Sequence, residues 1–174
     1  MIDLFFACLL VGFGSAAVFL FAVVLPHSHL TVIAILGAFF QLVALLFTSL
    51  FHLIPVNEDA QGYIAVCMGV LIQEVCRYLF FRLYANTERA LLKQSGLIAL
   101  PWTPFAAAVC GGFGFGLMNS LILYGGVVGQ STGRADFFTC PGSILSGFLI
   151  LAIVAVGMQL GHVAWMLMVC LCNT

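Results

Sequence analysis

Read for alternation of apolar and polar positions, the chain shows neither the period-two pattern of half-buried strands nor the one-faced stripe of soluble helices. Instead it holds long apolar runs, separated by short polar ones. A helix needs about 20 predominantly apolar residues to cross a bilayer. By that rule five spans are predicted: Leu4 to Leu25, Leu30 to Ile54, Tyr63 to Phe81, Pro104 to Val128 and Ser143 to Cys172. The breaks between them carry turn and loop residues: "LPHSH" (25–29), "PVNEDAQG" (55–62), "LYANTERALLKQSGLIALPWTP" (83–104) and "GQSTGRADFFTCPG" (129–142). The first run is expected to be a retained span and not a secretory signal, because Asp3 stands where a basic flank belongs and the apolar stretch is too long. The expected fold is an all-α, polytopic transmembrane helix bundle forming a single unit over 1–174.

Composition sharpens this picture. Of 174 residues 64% are hydrophobic and 6% charged, with mean hydropathy +1.23, against about 25% charged residues in soluble domains. A net charge of -1 with no extended basic surface gives no sign of a nucleic-acid partner. Four of the five cations, Arg77, Arg82, Arg89 and Lys93, lie at or after the end of the third span. The positive-inside rule therefore places the 83–104 segment in the cytosol and the N-terminus in the lumen or outside the cell.

The chemistry worth following is what remains polar inside the spans, since a charge at mid-bilayer costs roughly 2.5–3.5 kcal/mol even on insertion scales. In "VLIQEVCRYLFFR" (70–82), Gln73 and Glu74 sit four and three residues before Arg77, on a shared helix face. A structural ion pair facing the bundle is the leading expectation; a proton-handling or substrate-facing glutamate are the other readings. Arg77 and Arg82 are also placed to snorkel toward lipid phosphates. In "GMQLGHVAW" (157–165), Gln159, His162 and Trp165 recur at intervals of three, and Gly157 with Gly161 forms a small-xxx-small pair that admits a neighbouring backbone. His162 is then expected to face a neighbour and share a hydrogen bond, a ligand or base being the other reading. In the fourth span Gly112, Gly116 and Ser120 follow at intervals of four, a groove for internal packing or for docking another subunit.

No catalytic set can be assembled from these residues. An aspartyl mechanism needs two neighbouring carboxylates, yet Asp3, Asp59 and Asp136 fall at span ends or in loops and Glu74 has no acidic partner in another span. A helical HExxH does not occur, and no serine pairs convincingly with His162, since Ser143 and Ser146 lie toward the other end of its own helix. "HSH" at 27–29 and "CLC" at 170–172 are too isolated for a zinc site. No metal or cofactor is expected.

Four stretches carry a resemblance: "FFACLLVGFGSA" in the first span, "GAFFQLVALLFTSL" in the second, "LIQEVCRYLFFRL" in the third and "HVAW" in the fifth. On these the chain resembles the Aph (anterior pharynx-defective) family, a subunit of gamma-secretase, over essentially its whole length. Gly112 and Gly116 match the family's fourth-span glycine motif, with Ser120 in the place of its third glycine, and His162 matches its fifth-span histidine. The resemblance implies a non-catalytic scaffold that assembles with presenilin, nicastrin and the presenilin enhancer, the catalytic aspartates belonging to presenilin. It implies processing of type I membrane proteins such as Notch, in membranes from the endoplasmic reticulum and Golgi to the plasma membrane and endosomes. The family has seven spans and five are legible here, so the sixth-span histidine expected to accompany His162 is not in the sequence, and His162 is expected to lack that partner. The reading from a different class is a small channel or transporter-like protein whose Glu74, Gln159 and His162 line a polar path.

Overall fold

A computed structural model describes residues 2–51, 58–95, 104–131 and 147–173. They form five helices: α1 (Ile2–Phe19), prolonged by a wider π turn at Leu20–Val24, α2 (Ser28–Phe51), α3 (Glu58–Ser95), α4 (Pro104–Ser131) and α5 (Gly147–Asn173). The α1–α2 corner follows from Pro26, whose ring nitrogen has no hydrogen to continue the ladder. The π turn closes with Leu25 N donating to Leu20 O at 2.9 Å, and the Val24 carbonyl at its end accepts from His27 N at 3.1 Å and from Thr31 Oγ1, in the first turn of α2, at 3.0 Å.

Among the described residues α2 to α5 each hold a segment long and apolar enough to cross a membrane, and Leu9–Val24 is a shorter apolar helix. The chain is an all-α integral membrane bundle. Its third helix differs from expectation. The segment 83–104 was expected to be a break, yet α3 runs without interruption to Ser95 and begins at Glu58, inside the expected 55–62 break. Apolarity ends near Phe81, but "RLYANTERALLKQS" contains no Gly or Pro and many strong helix formers, so the helix outlives the span. Likewise α4 continues to Ser131, past the expected start of the next break. His52, Arg134, Asp136, Cys140, Ser143 and Ser146 lie outside the described residues.

The bundle is organised around α4, which packs on α5 along one side and on α2 along the other, while α3 leans on α2 and α1 on α5. In α4 61% of the apolar window is buried, against 28% in the windows of α2, α3 and α5. Small residues on opposite faces let two neighbouring helices approach α4 closely. On one face Gly112 and Gly116 meet α5; on the other Gly114 lies against the Ala34 carbonyl of α2, so close that no β-carbon fits. Aromatic side chains fill the spaces the glycines leave: Phe80 packs edge-on against Phe115 with centroids 6.0 Å apart, and Phe19 tilts onto Phe113 at 4.9 Å. By contrast α3 and α5 barely touch through their backbones. What joins them is polar.

Candidate functional site

The polar residues read from the third and fifth spans converge between α3 and α5. Arg77 is 5% exposed and His162 6%, so both side chains are inside the bundle. Arg77 pairs through Nη1 with Glu74 Oε1, one helical turn earlier on α3. Its Nη2 reaches across to His162 Nδ1 at 2.7 Å. A guanidinium can only donate, so Nδ1 is the acceptor and the ring proton of the neutral imidazole belongs on Nε2. From the other direction Trp165 Nε1 donates to Glu74 Oε2 at 2.9 Å. The carboxylate thus receives one donor from each helix, and two of the cluster's three contacts cross the α3–α5 gap.

Phe115 of α4 supplies the apolar wall. Its ring stacks on His162 with centroids 6.5 Å apart at 27°, and Arg77 Cζ lies 5.8 Å from its centroid. A cation over an aromatic face is attracted by the ring quadrupole, so Phe115 contacts both members of the Arg77–His162 pair. Beside the cluster is a cavity of about 300 Å³ whose lining includes Gln73, Glu74, Arg77, His162, Trp165 and the two glycines Gly157 and Gly161.

Three expectations are corrected by this geometry. His162 does not wait for a partner from a further span: Arg77 already occupies its Nδ1. Arg77 does not snorkel, because the ion pair and Phe115 draw it inward; Arg82 is the exposed one, with its Cζ 5.7 Å from the Tyr78 ring centroid. Gln159 does not share the cavity with His162. It turns to α1, where Nε2 donates to Gly12 O at 3.3 Å, and it is 5% exposed. Positions three apart on a helix diverge by about 60°, enough to send two neighbours of one stripe to different helices.

The small-residue motifs separate in the same way. A β-carbon on Gly112 would stand 2.8 Å from Val163 Cα and one on Gly116 2.7 Å from Gln159 Cα, so this face is filled by α5 of the same chain. Ser120 continues the contact, its Oγ donating to Ala155 O at 3.0 Å. Of the two readings of the groove, internal packing is the one observed. Gly157 and Gly161 have nothing within 4 Å of a built β-carbon and are exposed.

Two buried polar side chains were missed by the reading of the sequence. Gln41 of α2, 0% exposed, donates through Nε2 to Asn119 Oδ1 of α4 at 3.2 Å. An amide in the middle of an apolar run, as in "FFQLVA" and "LMNSL", is itself the signal that could have found them. Phe115 gave no such signal, being one of 17 phenylalanines.

The sequence model of the family described as Aph-1 protein matches residues 3–172. Gamma-secretase subunit Aph-1b of Danio rerio is 32% identical over 177 aligned residues, covering 93% of this chain and 68% of the relative. Gamma-secretase subunit Aph-1 of Drosophila melanogaster is 29% identical, covering 92% and 67%. Gamma-secretase subunit APH-1B of Homo sapiens is 29% identical, covering 92% and 65%. This chain therefore spans about two thirds of the length of these relatives. It belongs to the Aph-1 family.

Proposed function

From membership of the Aph-1 family we propose that this chain acts as a non-catalytic scaffold subunit of the gamma-secretase intramembrane aspartyl protease. It assembles with presenilin, nicastrin and the presenilin enhancer, and so supports processing of type I membrane proteins such as Notch. The observation that carries the scaffold reading is the use made of the intramembrane charge. Both Glu74 oxygens are engaged, one by Arg77 and one by Trp165, and Arg77 engages His162. Groups committed to one another across a helix gap hold that gap together. The expected location is the secretory pathway through to the plasma membrane and endosomes, with the N-terminus lumenal or extracellular, as the distribution of cations indicates.

The channel reading loses its basis once Gln159 faces α1 while Glu74 and His162 face the α3–α5 cavity. Extraction in a mild detergent separates the two. The scaffold reading expects a presenilin-like and a nicastrin-like protein to co-purify with the chain in fixed proportion. Recovery of the chain alone, as a homo-oligomer that conducts ions after reconstitution, would reverse the conclusion.

A further inference from the structure

The end of α3 is left over by the scaffold. Thirty-eight residues of helix extend about 57 Å at 1.5 Å per residue, whereas a bilayer measures about 30 Å across its hydrocarbon and about 40–45 Å with its headgroups. The surplus is the segment 82–95. It carries Arg82, Arg89 and Lys93, all exposed. Steps of seven and eleven residues return to within about 20° of the same direction on a helix, so the three cations form one stripe. Glu88 points away from it, half-buried at a cavity of about 300 Å³ lined with Tyr84, Leu92, Pro104 and Cys170; Arg89, although exposed, borders the same cavity from the edge of the stripe. Among the described residues no carboxylate pairs with any of the three cations.

We propose that this stripe binds the phosphates of anionic lipids in the leaflet from which α3 emerges. Arg82 follows directly on the apolar run and is steadied over the Tyr78 ring at the point where the hydrocarbon ends. Arg89 and Lys93 lie about 10 and 16 Å farther along the axis. The headgroup layer is about 5–8 Å thick on each side, long cationic side chains bend back toward it, and the surface field persists for about another 8 Å at physiological salt. All three charges are therefore within reach of the surface. The cytosolic leaflet, on whose side the cation distribution places this segment, is the anionic one. The inference does not depend on the chain's role in a protease complex.

The test is native mass spectrometry of the whole chain in mild detergent, supplied with phosphatidylserine or phosphatidylcholine of identical acyl chains. A cation near an anionic surface contributes up to about fivefold in partitioning; with three at increasing distance, about tenfold preference for phosphatidylserine is expected. The substitution R82Q/R89Q/K93Q should reduce it to about twofold or less, while R82K/R89K, which keeps the charge, should preserve it. Preference that survives the triple substitution, or is lost equally in the charge-preserving variant, overturns the proposal. Complete competition by soluble glycerophosphoserine would identify a free-phosphate site instead. Tight binding of an acidic peptide to the lipid-free chain, with no lipid preference, would identify a protein-docking stripe and likewise overturn it.

Discussion

Two of the chain's small-xxx-small pairs, Gly112/Gly116 on α4 and Gly157/Gly161 on α5, have opposite fates. The first is buried against backbone of α5; the second stands open beside the polar cavity. Spacing supplies only the capacity for close approach. Closure depends on what faces the glycines. Opposite Gly112 and Gly116 the backbone of α5 comes close at Val163 and Gln159, a contact prolonged by Ser120 on Ala155, whereas α3, across from Gly157 and Gly161, presents Gln73, Glu74 and Arg77. Bulky polar side chains hold α3 and α5 apart and join them by hydrogen bonds in place of backbone packing.

The variant that breaks this contrast most severely is Gly116→Leu. Its β-carbon would lie 2.7 Å from Gln159 Cα, and the obstacle is backbone that no rotamer change can clear. Overpacking costs about 1–3 kcal/mol where side chains can shift and more where they cannot. The expected result is loss of most of the monodisperse chain on size exclusion in detergent. Recovery equal to the parent would mean that α4 and α5 do not meet as described.

Next in size is Glu74→Ala, which strips Arg77 of its carboxylate and Trp165 of its acceptor. Hydrogen bonds to charged groups contribute about 1.5–3 kcal/mol each, and the 36% exposure of the Glu74 side chain moves the expectation to the lower end of that range. A several-fold drop in folded yield is expected, read from the same elution peak. Pairing Glu74→Gln with Arg77→Met, which removes the buried charge altogether, should restore most of it. Normal yield with failed proteolysis in the reconstituted complex would instead give Glu74 a chemical role.

A smaller effect is expected for His162→Ala. Interhelical hydrogen bonds in membranes average about 0.6 kcal/mol, and here loss of the ring also uncovers Arg77 Nη2 and one face of Phe115. Thermal unfolding in detergent should shift down by a few degrees in the chain as it stands. His162→Gln, which keeps an acceptor, should recover part of the shift. No change in His162→Ala would show that the α3–α5 bridge rests on Trp165 and Glu74 alone.

These expectations differ from what the residues alone suggested, and the reasons are physical. The helical class and the register of Gly112, Gly116 and Ser120 were legible because apolar content and small-residue period are local properties. The pairing of Glu74 with Arg77 was legible for the same reason, being three residues apart on one helix. The Arg77–His162 and Trp165–Glu74 bonds, 85 and 91 residues apart in sequence, depend on which helices become neighbours, and no local pattern encodes that. The turn of Gln159 toward α1 was not legible because its partner there is the backbone carbonyl of Gly12, which has no side chain to read. The length of α3 was not legible because the end of apolarity is not the end of the helix, two properties that separate at "RLYANTERALLKQS".

The smallest expected change, and the most informative about the open motif, belongs to Gly161→Leu. Nothing within 4 Å obstructs a β-carbon there, and the adjoining cavity of about 300 Å³ has room for the rest of the side chain. Exposed to lipid on one side, the added leucine should leave elution and unfolding of the isolated chain within about 0.5 kcal/mol of the parent, as is usual for substitutions away from packed features. The complex should respond differently if a helix of another subunit seats on the two glycines, since close approach of backbones is the main attraction between helices in lipid. Recovery of presenilin-like and nicastrin-like partners would then fall although the chain itself is intact. Gly157→Leu, one turn away on the same face, should act in parallel, and Leu160→Ala, at an exposed position outside the cavity lining, should not. Equal recovery in all three would mean that Gly157 and Gly161 face lipid in the assembled state; loss of the isolated chain in Gly161→Leu would mean that the two glycine motifs are alike after all, and that α3 closes on α5 more tightly than the open cavity implies.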